Sequence, residues 1–243
     1  MPHRHRLAGF IIDCQGDDHE AAAQFWSQAL HLPRGETYQD GEARYTELTG
    51  TPGGLHVEVQ RVSHASRVHL DIEADDLDAE ADRLETLGAR RVGFFKRWWV
   101  MEAPTGQRFC IVRWRDRDPV TVDAQATSAN SRLAGFIIDC QTDDLSAAST
   151  FWSQALGLAV TVKDDGGVGL YDRLEKTAGG LHVEVQKVDH PSRVHLDIAA
   201  QDVEAEAQRL EALGARRVKF AYERWWVMEA PTGQRFCVVP DEG

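Results

Sequence analysis

The chain has 243 residues, carries 27 Lys and Arg against 39 Asp and Glu for a formal charge of −12, and is 42% apolar. That is long and apolar enough for two ordinary domains with real cores. The acidic balance disfavours nucleic acid and anionic membranes, whose phosphates need a basic surface, and leaves small molecules or proteins as partners. Cys14, Cys110, Cys140 and Cys237 show no Cys-x-x-Cys spacing, which excludes a zinc ribbon or a redox pair and suits a reducing compartment. No apolar run reaches the length of a membrane span, and the opening Met-Pro-His-Arg-His-Arg lacks the apolar segment of a secretory signal, so the expected location is cytoplasmic.

In chain order, Leu7 to Gln15 reads as a strand ending at Asp17-Asp18, a good helix N-cap. The helix that follows places Ala22, Phe25, Trp26, Ala29 and Leu30 on one apolar stripe. The stretch from Pro33 to Pro52 is less patterned and suits loops and edge strands. Two short strands come next, Gly54-Leu-His-Val-Glu-Val-Gln60 and Ser66-Arg-Val-His-Leu-Asp-Ile72. Asp75-Asp76 then caps a second helix whose Leu77, Ala81, Leu84 and Leu87 face inward, and Gly88 supplies its left-handed stop. Strands at Arg91 to Phe95, Trp98 to Glu102 and, after a Pro104-Thr-Gly106 turn, Arg108 to Val112 complete the unit.

All of this recurs. Leu7 to Gln15 returns as Leu133 to Gln141, Phe25 to Leu30 as Phe151 to Leu156, and Trp98 to Cys110 as Trp225 to Cys237, with a slip of one residue just before the Trp pairs. Roughly two thirds of aligned positions are identical, so this is a tandem duplication of a whole domain. The expected boundaries are residues 1–114 and 132–243 for the copies, with a small, polar linker at 115–131 and a hairpin turn in copy two at Gly166-Gly167. A fainter symmetry, strand, Asp-Asp cap, helix, then strands, divides each copy into two βαβββ modules. Pairing of modules within a copy is the simpler arrangement, though the sequence does not fix it.

Alternation on the two central strands puts His56, Glu58 and Gln60 on one face, and His69 and Asp71 on one face of the next strand, with His182, Glu184, Gln186, His195 and Asp197 repeating the set. Alternation alone fits any half-solvated sheet. The residue types point further: imidazoles, carboxylates and amides bind metals or move protons, whereas Lys, Thr and Ser are the usual solvent-facing choices. The plainer alternatives are histidines hydrogen-bonded to Asp71 and Asp197, and Cys110 and Cys237 as small buried packers. Of Trp98 and Trp99, and of Trp225 and Trp226, one must face the polar side, where it would stack a planar ligand or fill space.

Phe25-Trp with Ala29-Leu30, Arg67-Val-His-Leu-Asp-Ile72, Leu84 through Leu-Gly-Ala-Arg-Arg-Val92 and Glu102-Ala-Pro-Thr-Gly106 resemble the vicinal oxygen chelate superfamily, which includes glyoxalase I, extradiol dioxygenases and bleomycin-resistance proteins. The resemblance covers nearly all of both copies. It implies an α+β fold: tandem domains, each of two βαβββ modules forming a curved, mostly antiparallel cup with helices on its outer face. It also implies metal ligands at Glu58, His69 and Cys110 and at Glu184, His195 and Cys237, with Ile11 and Ile137 standing where a ligand would be expected and unable to coordinate. Glu58 and Glu184 become the proton movers, and His56, Gln60, Asp71, Trp98, Trp99, His182, Gln186, Asp197, Trp225 and Trp226 the ligand-contacting set. The implied cofactor is a divalent Zn, Ni, Mn or Fe, or none. The implied function is binding a small organic molecule in each cup, with metal-dependent lyase, isomerase or dioxygenase chemistry. The alternative is metal-free sequestration of an antibiotic-like or aromatic ligand, by a monomer or homodimer.

Overall fold

A computed structural model of the protein describes residues 3–116, 130–164 and 170–241. Most of the expected linker and the whole of the Gly166-Gly167 turn lie outside the described residues. Copy one runs β1 His5–Gln15, α1 His19–Leu30, β2 Arg34–Asp40, β3 Ala43–Leu48, β4 His56–Val62, β5 Arg67–Ala74, α2 Leu77–Thr86, β6 Arg90–Phe95, β7 Trp98–Glu102 and β8 Arg108–Arg113. Copy two repeats it as β9 Ser131–Gln141, α3 Leu145–Leu156, β10 Val160–Val162, β11 Tyr171–Leu174, β12 His182–Val188, β13 Arg193–Ala200, α4 Val203–Ala212, β14 Arg216–Ala221, β15 Trp225–Glu229 and β16 Arg235–Pro240.

An Asp caps each helix, the second of an Asp-Asp pair in the first three and the Asp of Gln201-Asp202 in the fourth. Asp18, Asp76, Asp144 and Asp202 each accept a hydrogen bond from a backbone N–H in the first helical turn, at Ala21, Ala79, Ala147 and Ala205. Gly157 closes α3 in the left-handed region at φ 70°, and in α1 the same position is His31 at φ 54°, an uncommon conformation for a side chain with a Cβ. The one-residue slip in the repeat falls in the β6–β7 turn. Phe95 pairs with Trp98 across two residues in copy one, whereas Ala221 pairs with Trp225 across three in copy two. Lys96, Tyr222 and Glu223 take positive φ there, as tight hairpin turns require.

The chain divides into two compact units, and each draws on both copies. One contains residues 3–10, 69–116, 137–164 and 170–194; the other contains 11–68, 130–136 and 195–241. In the first, Gln107 donates to the Asp139 carbonyl at 2.7 Å and to Cys140 Sγ at 3.2 Å, and Phe109 meets Trp152 edge-on with ring centroids 5.6 Å apart. Arg83 reaches from α2 to the carbonyls of Gln154 and Ala155 at the end of α3. The second unit is built the same way, with Gln234 donating to the Asp13 carbonyl at 2.6 Å, Phe236 edge-on to Trp26 at 5.8 Å, and Arg209 reaching the Gln28 and Ala29 carbonyls. The largest fully buried side chains include these aromatics, so each core is sealed by one copy's last strand against the other copy's first helix.

The expected curved cup is corrected by the strand orders. In the first unit the orders are β10-β11-β12-β9 and β6-β7-β8-β5, and in the second β2-β3-β4-β1 and β14-β15-β16-β13. Among the described residues no pairing joins the outer strands β10, β6, β2 and β14, so the sheet is open and is not strongly curled. The physical reason lies in the edges. Each outer pair carries a register shift, at Val160/Val162, Arg91/Gly93, Arg34/Thr37 and Arg217/Lys219, and an edge strand twisted by a bulge is a poor template for pairing with a further strand. The pairing is also mixed, since β5 runs parallel to β8 and β13 parallel to β16, each return crossing over through a helix.

Candidate functional site

Parallel pairing of β5 with β8 places Asp71 directly beside Cys110, and β13 with β16 places Asp197 beside Cys237. His69 and His195 stand two residues earlier on the same strands, hence on the same face. The outcome is two equivalent triads, His69–Asp71–Cys110 in the first unit and His195–Asp197–Cys237 in the second, each with its ligand atoms all within 4.8 Å of one another. In both, the imidazole Nε2 lies 3.5 Å from the aspartate Oδ1.

Burial decides against an ordinary solvent face. His69, Asp71 and Cys110 are 7%, 6% and 8% exposed, and Glu58 is 5% exposed. Imidazole and carboxylate are rarely buried to this degree without a partner of opposite charge or a bound ion. Nitrogen, oxygen and sulfur donors from three different side chains suit a borderline first-row divalent ion and fit Mg²⁺ poorly. Asp71 and Asp197 therefore stand among the candidate metal-ligating groups, where the sequence placed them only among ligand contacts.

Glu58 and Glu184 do not stand in these triads. Glu58 belongs to the unit that holds His195, and Glu184 to the unit that holds His69. Their surroundings differ. Tyr38 donates its hydroxyl to Glu58 Oε1 at 2.7 Å, and His56 Nε2 lies 3.2 Å from Oε2. Tyr38 also stacks on Tyr45, whose hydroxyl accepts from Gln60 at 3.1 Å. In the other unit Arg173 pairs with Glu184 at 3.2 Å, and Gln186 donates to the Tyr171 hydroxyl at 2.7 Å. His182 sits half-buried at the start of β12. Tyr38 and Arg173 lie in the stretch where the two copies diverge most; strand register sets Arg173 opposite Glu184, whereas Tyr38 on β2 reaches Glu58 on β4 across the intervening β3.

The Trp pairs split across the sheet. Trp99 donates from Nε1 to Asp78 of α2 at 2.8 Å under the Arg91 guanidinium, and Trp226 donates to Glu204 of α4 at 2.9 Å under Arg217. Arg217, Gln208 and Trp226 together hold the Glu204 carboxyl down at about 2. These two indoles are thus tied to the helices. Val100 pairs with Cys110 and Val227 with Cys237, so Trp98 and Trp225, two residues before, share the cysteine face. Ile11 and Ile137 are buried aliphatics, 4% exposed each.

A second charged pair recurs beside the strand ends. Arg67 pairs with Asp13 at 2.9 Å with His64 at 3.7 Å, and Arg193 pairs with Asp139 at 2.9 Å with His190 at 3.7 Å. Ser66 and Ser192 accept from the Gln15 and Gln141 backbone at 2.9 Å. These links hold the end of each copy's first strand to the start of its triad-bearing strand. His64 and His190 are accounted for by them.

A glyoxalase-like domain family model matches residues 9–112 and 135–239. A comparison with curated proteins found no match. Among solved structures the chain is similar to a triple variant of 4-hydroxymandelate synthase from Streptomyces coelicolor, with a TM-score of 0.58 at 15% identity over 98% of this chain and 94% of that one. It is similar to the 2,3-dioxygenase LapB from Pseudomonas sp. KL28, with a TM-score of 0.59 at 12% identity over 97% and 92%. It also resembles a variant of homoprotocatechuate 2,3-dioxygenase from Brevibacterium fuscum, with a TM-score of 0.60 at 15% identity over 97% and 71%. At these identities the likeness is one of fold. Among the described residues no helix is long and apolar enough to cross a membrane. With the family model spanning both copies and the shared fold beside it, the chain belongs to the vicinal oxygen chelate superfamily and carries two glyoxalase-like domains.

Proposed function

We propose that the protein is a metal-dependent enzyme acting on a small organic molecule with two neighbouring oxygens, with lyase, isomerase or dioxygenase chemistry. The observation that carries this reading is the His-Asp-Cys triad, built twice by the same strand register, wholly buried in one unit and with only its aspartate partly exposed in the other. His69, Asp71 and Cys110 would hold one divalent ion, and His195, Asp197 and Cys237 the other. A bound ion would supply Lewis-acid stabilisation of negative charge developing on the paired substrate oxygens.

The chain's own groups supply the remainder. Glu58, fixed through Oε1 by the Tyr38 hydroxyl and with Oε2 near His56, would take and return a proton. Glu184 shares its charge with Arg173, which turns the equivalent position toward binding an anionic group. Trp98 and Trp225 offer a flat apolar wall on the cysteine face.

The test is turnover by the metal-loaded protein on hemithioacetals and catechols, two substrate types with vicinal oxygens. Glu58→Gln should lower kcat by about 10² to 10⁴ with little change in KM, and Tyr38→Phe should do so less. Full activity in a Glu58→Gln/Glu184→Gln double variant would remove both glutamates from the chemistry. Metal-free sequestration is favoured by the aliphatic Ile11 and Ile137, which cannot coordinate, and by the aromatic Trp98 and Trp225. It predicts tight quenching of Trp fluorescence by aromatic ligands in protein stripped of metal, with no turnover after metal is restored.

A further inference from the structure

Outside the two triads, a third set of ligand-type side chains converges at the beginning of the chain. His3 and His5 alternate along the entry to β1 and so present their rings on one side, with centroids 5.8 Å apart. Both face Glu80 on α2. His3 Nε2 lies 2.7 Å from Glu80 Oε2 and His5 Nδ1 3.7 Å from the same oxygen, with one ligand atom from each residue within 4.8 Å of the others. The Glu80 side chain is fully buried, and the imidazoles are 17% and 24% exposed.

The histidines are not needed to balance that carboxylate. Arg83 already clamps it with two bonds, Nε to Oε2 at 2.7 Å and Nη2 to Oε1 at 2.6 Å. The duplication supplies a control. In the second unit Glu206 and Arg209 form the same clamp at 2.8 and 2.6 Å, while the sequence there has Ala129 and Ser131 where copy one has His3 and His5. The Glu–Arg pair therefore forms without histidines at these two positions, and in the second unit Ser131 Oγ lies 2.9 Å from the His31 imidazole instead.

We infer that His3, His5 and Glu80 form a third metal site, selective for a borderline first-row divalent ion such as Zn²⁺ or Cu²⁺. Two imidazoles and one carboxylate are a common donor set for such ions, and too few oxygens for Ca²⁺ or Mg²⁺. Arg83 fixes the orientation of Glu80, as partners of metal-binding carboxylates usually do. An ion there would tie the start of the first strand to α2. This site shares no residue with the triads, contains no sulfur, and stands independently of the enzymatic reading.

The experiment uses the full chain without a tag and compares it with a His3→Ala/His5→Ser double variant, which installs the residues that copy two already carries. Zn²⁺ bound after equilibrium dialysis is counted by elemental mass spectrometry, and thermal unfolding is followed with and without Zn²⁺. The expected result is one equivalent fewer in the variant and a smaller Zn²⁺-induced rise in Tm, with the thiolate absorption of Co²⁺-loaded protein unchanged. An equal Zn²⁺ count in both proteins would overturn the inference. Loss of the cobalt–thiolate absorption in the variant would also overturn it, because the missing ion would then have come from a triad. His3→Gln/His5→Gln, which keeps side-chain bulk and polarity, must lose the same equivalent.

Discussion

His69, Asp71 and Cys110 show how far single residues can be read from a chain. Alternation along one strand places His69 and Asp71 together, which the sequence states directly. Cys110 comes from a strand about forty residues away, and it was picked out by resemblance and not by spacing. The partners of Glu58 and Glu184 were not legible, because Tyr38 and Arg173 lie in stretches with weak patterning. His3 and His5 meet Glu80 across 77 residues, a distance no local pattern spans. The other two cysteines behave as packers. Burial pushes the Cys14 thiol from an ordinary 9.0 up to about 11, against weaker downward pulls from hydrogen bonds to Thr232 and Gln234. Since the unfolded thiol ionises first, this contribution to stability is whole below pH 9 and is lost as pH rises through about 11. Cys14→Ala should therefore flatten the alkaline fall in unfolding free energy, by on the order of 2 kcal/mol between those limits. Denaturant titrations at stepped pH would show it, and parallel curves for both proteins would contradict it.

Elements were the most legible scale. Four Asp-Asp or Asp-containing caps, the apolar stripes and the Pro-Thr-Gly turns announced helices and strands whose bounds the structure repeats closely. The one-residue slip between copies became a longer hairpin turn and disturbed nothing else. What periodicity could not give was closure. The bulges at the outer strands are register events, invisible to an apolar–polar pattern, and they leave the sheet open where family resemblance suggested a cup. Nor could it say which helix each strand packs on. Phe109 of β8 meets Trp152 of α3, although Trp26 of α1 presents the same surface. A double-mutant cycle separates the two in the intact protein. Phe109→Leu combined with Trp152→Phe should show a coupling of about 0.5 to 1.5 kcal/mol, whereas Phe109→Leu with Trp26→Phe should be additive. The reverse pattern would place each core within one copy.

At the scale of the whole molecule, duplication is both the strongest signal and the source of the ambiguity. Identical last strands and identical first helices can seal a core within a copy or between copies with the same hydrogen bonds, so no comparison of residues can choose. The structure takes the exchange: Gln107 reaches Asp139, and Gln234 reaches Asp13. Each unit consequently combines a triad from one copy with a glutamate from the other, and where the copies have diverged, at Tyr38 and Arg173, the two sites have become unequal. The proposed activity rests on both triads holding metal through sulfur. The most direct measurement is the near-ultraviolet thiolate-to-metal absorption of the Co²⁺-substituted protein. Two equivalents of Co²⁺ should bring the band to its full height, Cys110→Ser and Cys237→Ser should each remove about half of it, and the double variant should remove all of it. A Co²⁺-loaded protein without that band, or a band that survives both substitutions, would contradict the metal-centre account.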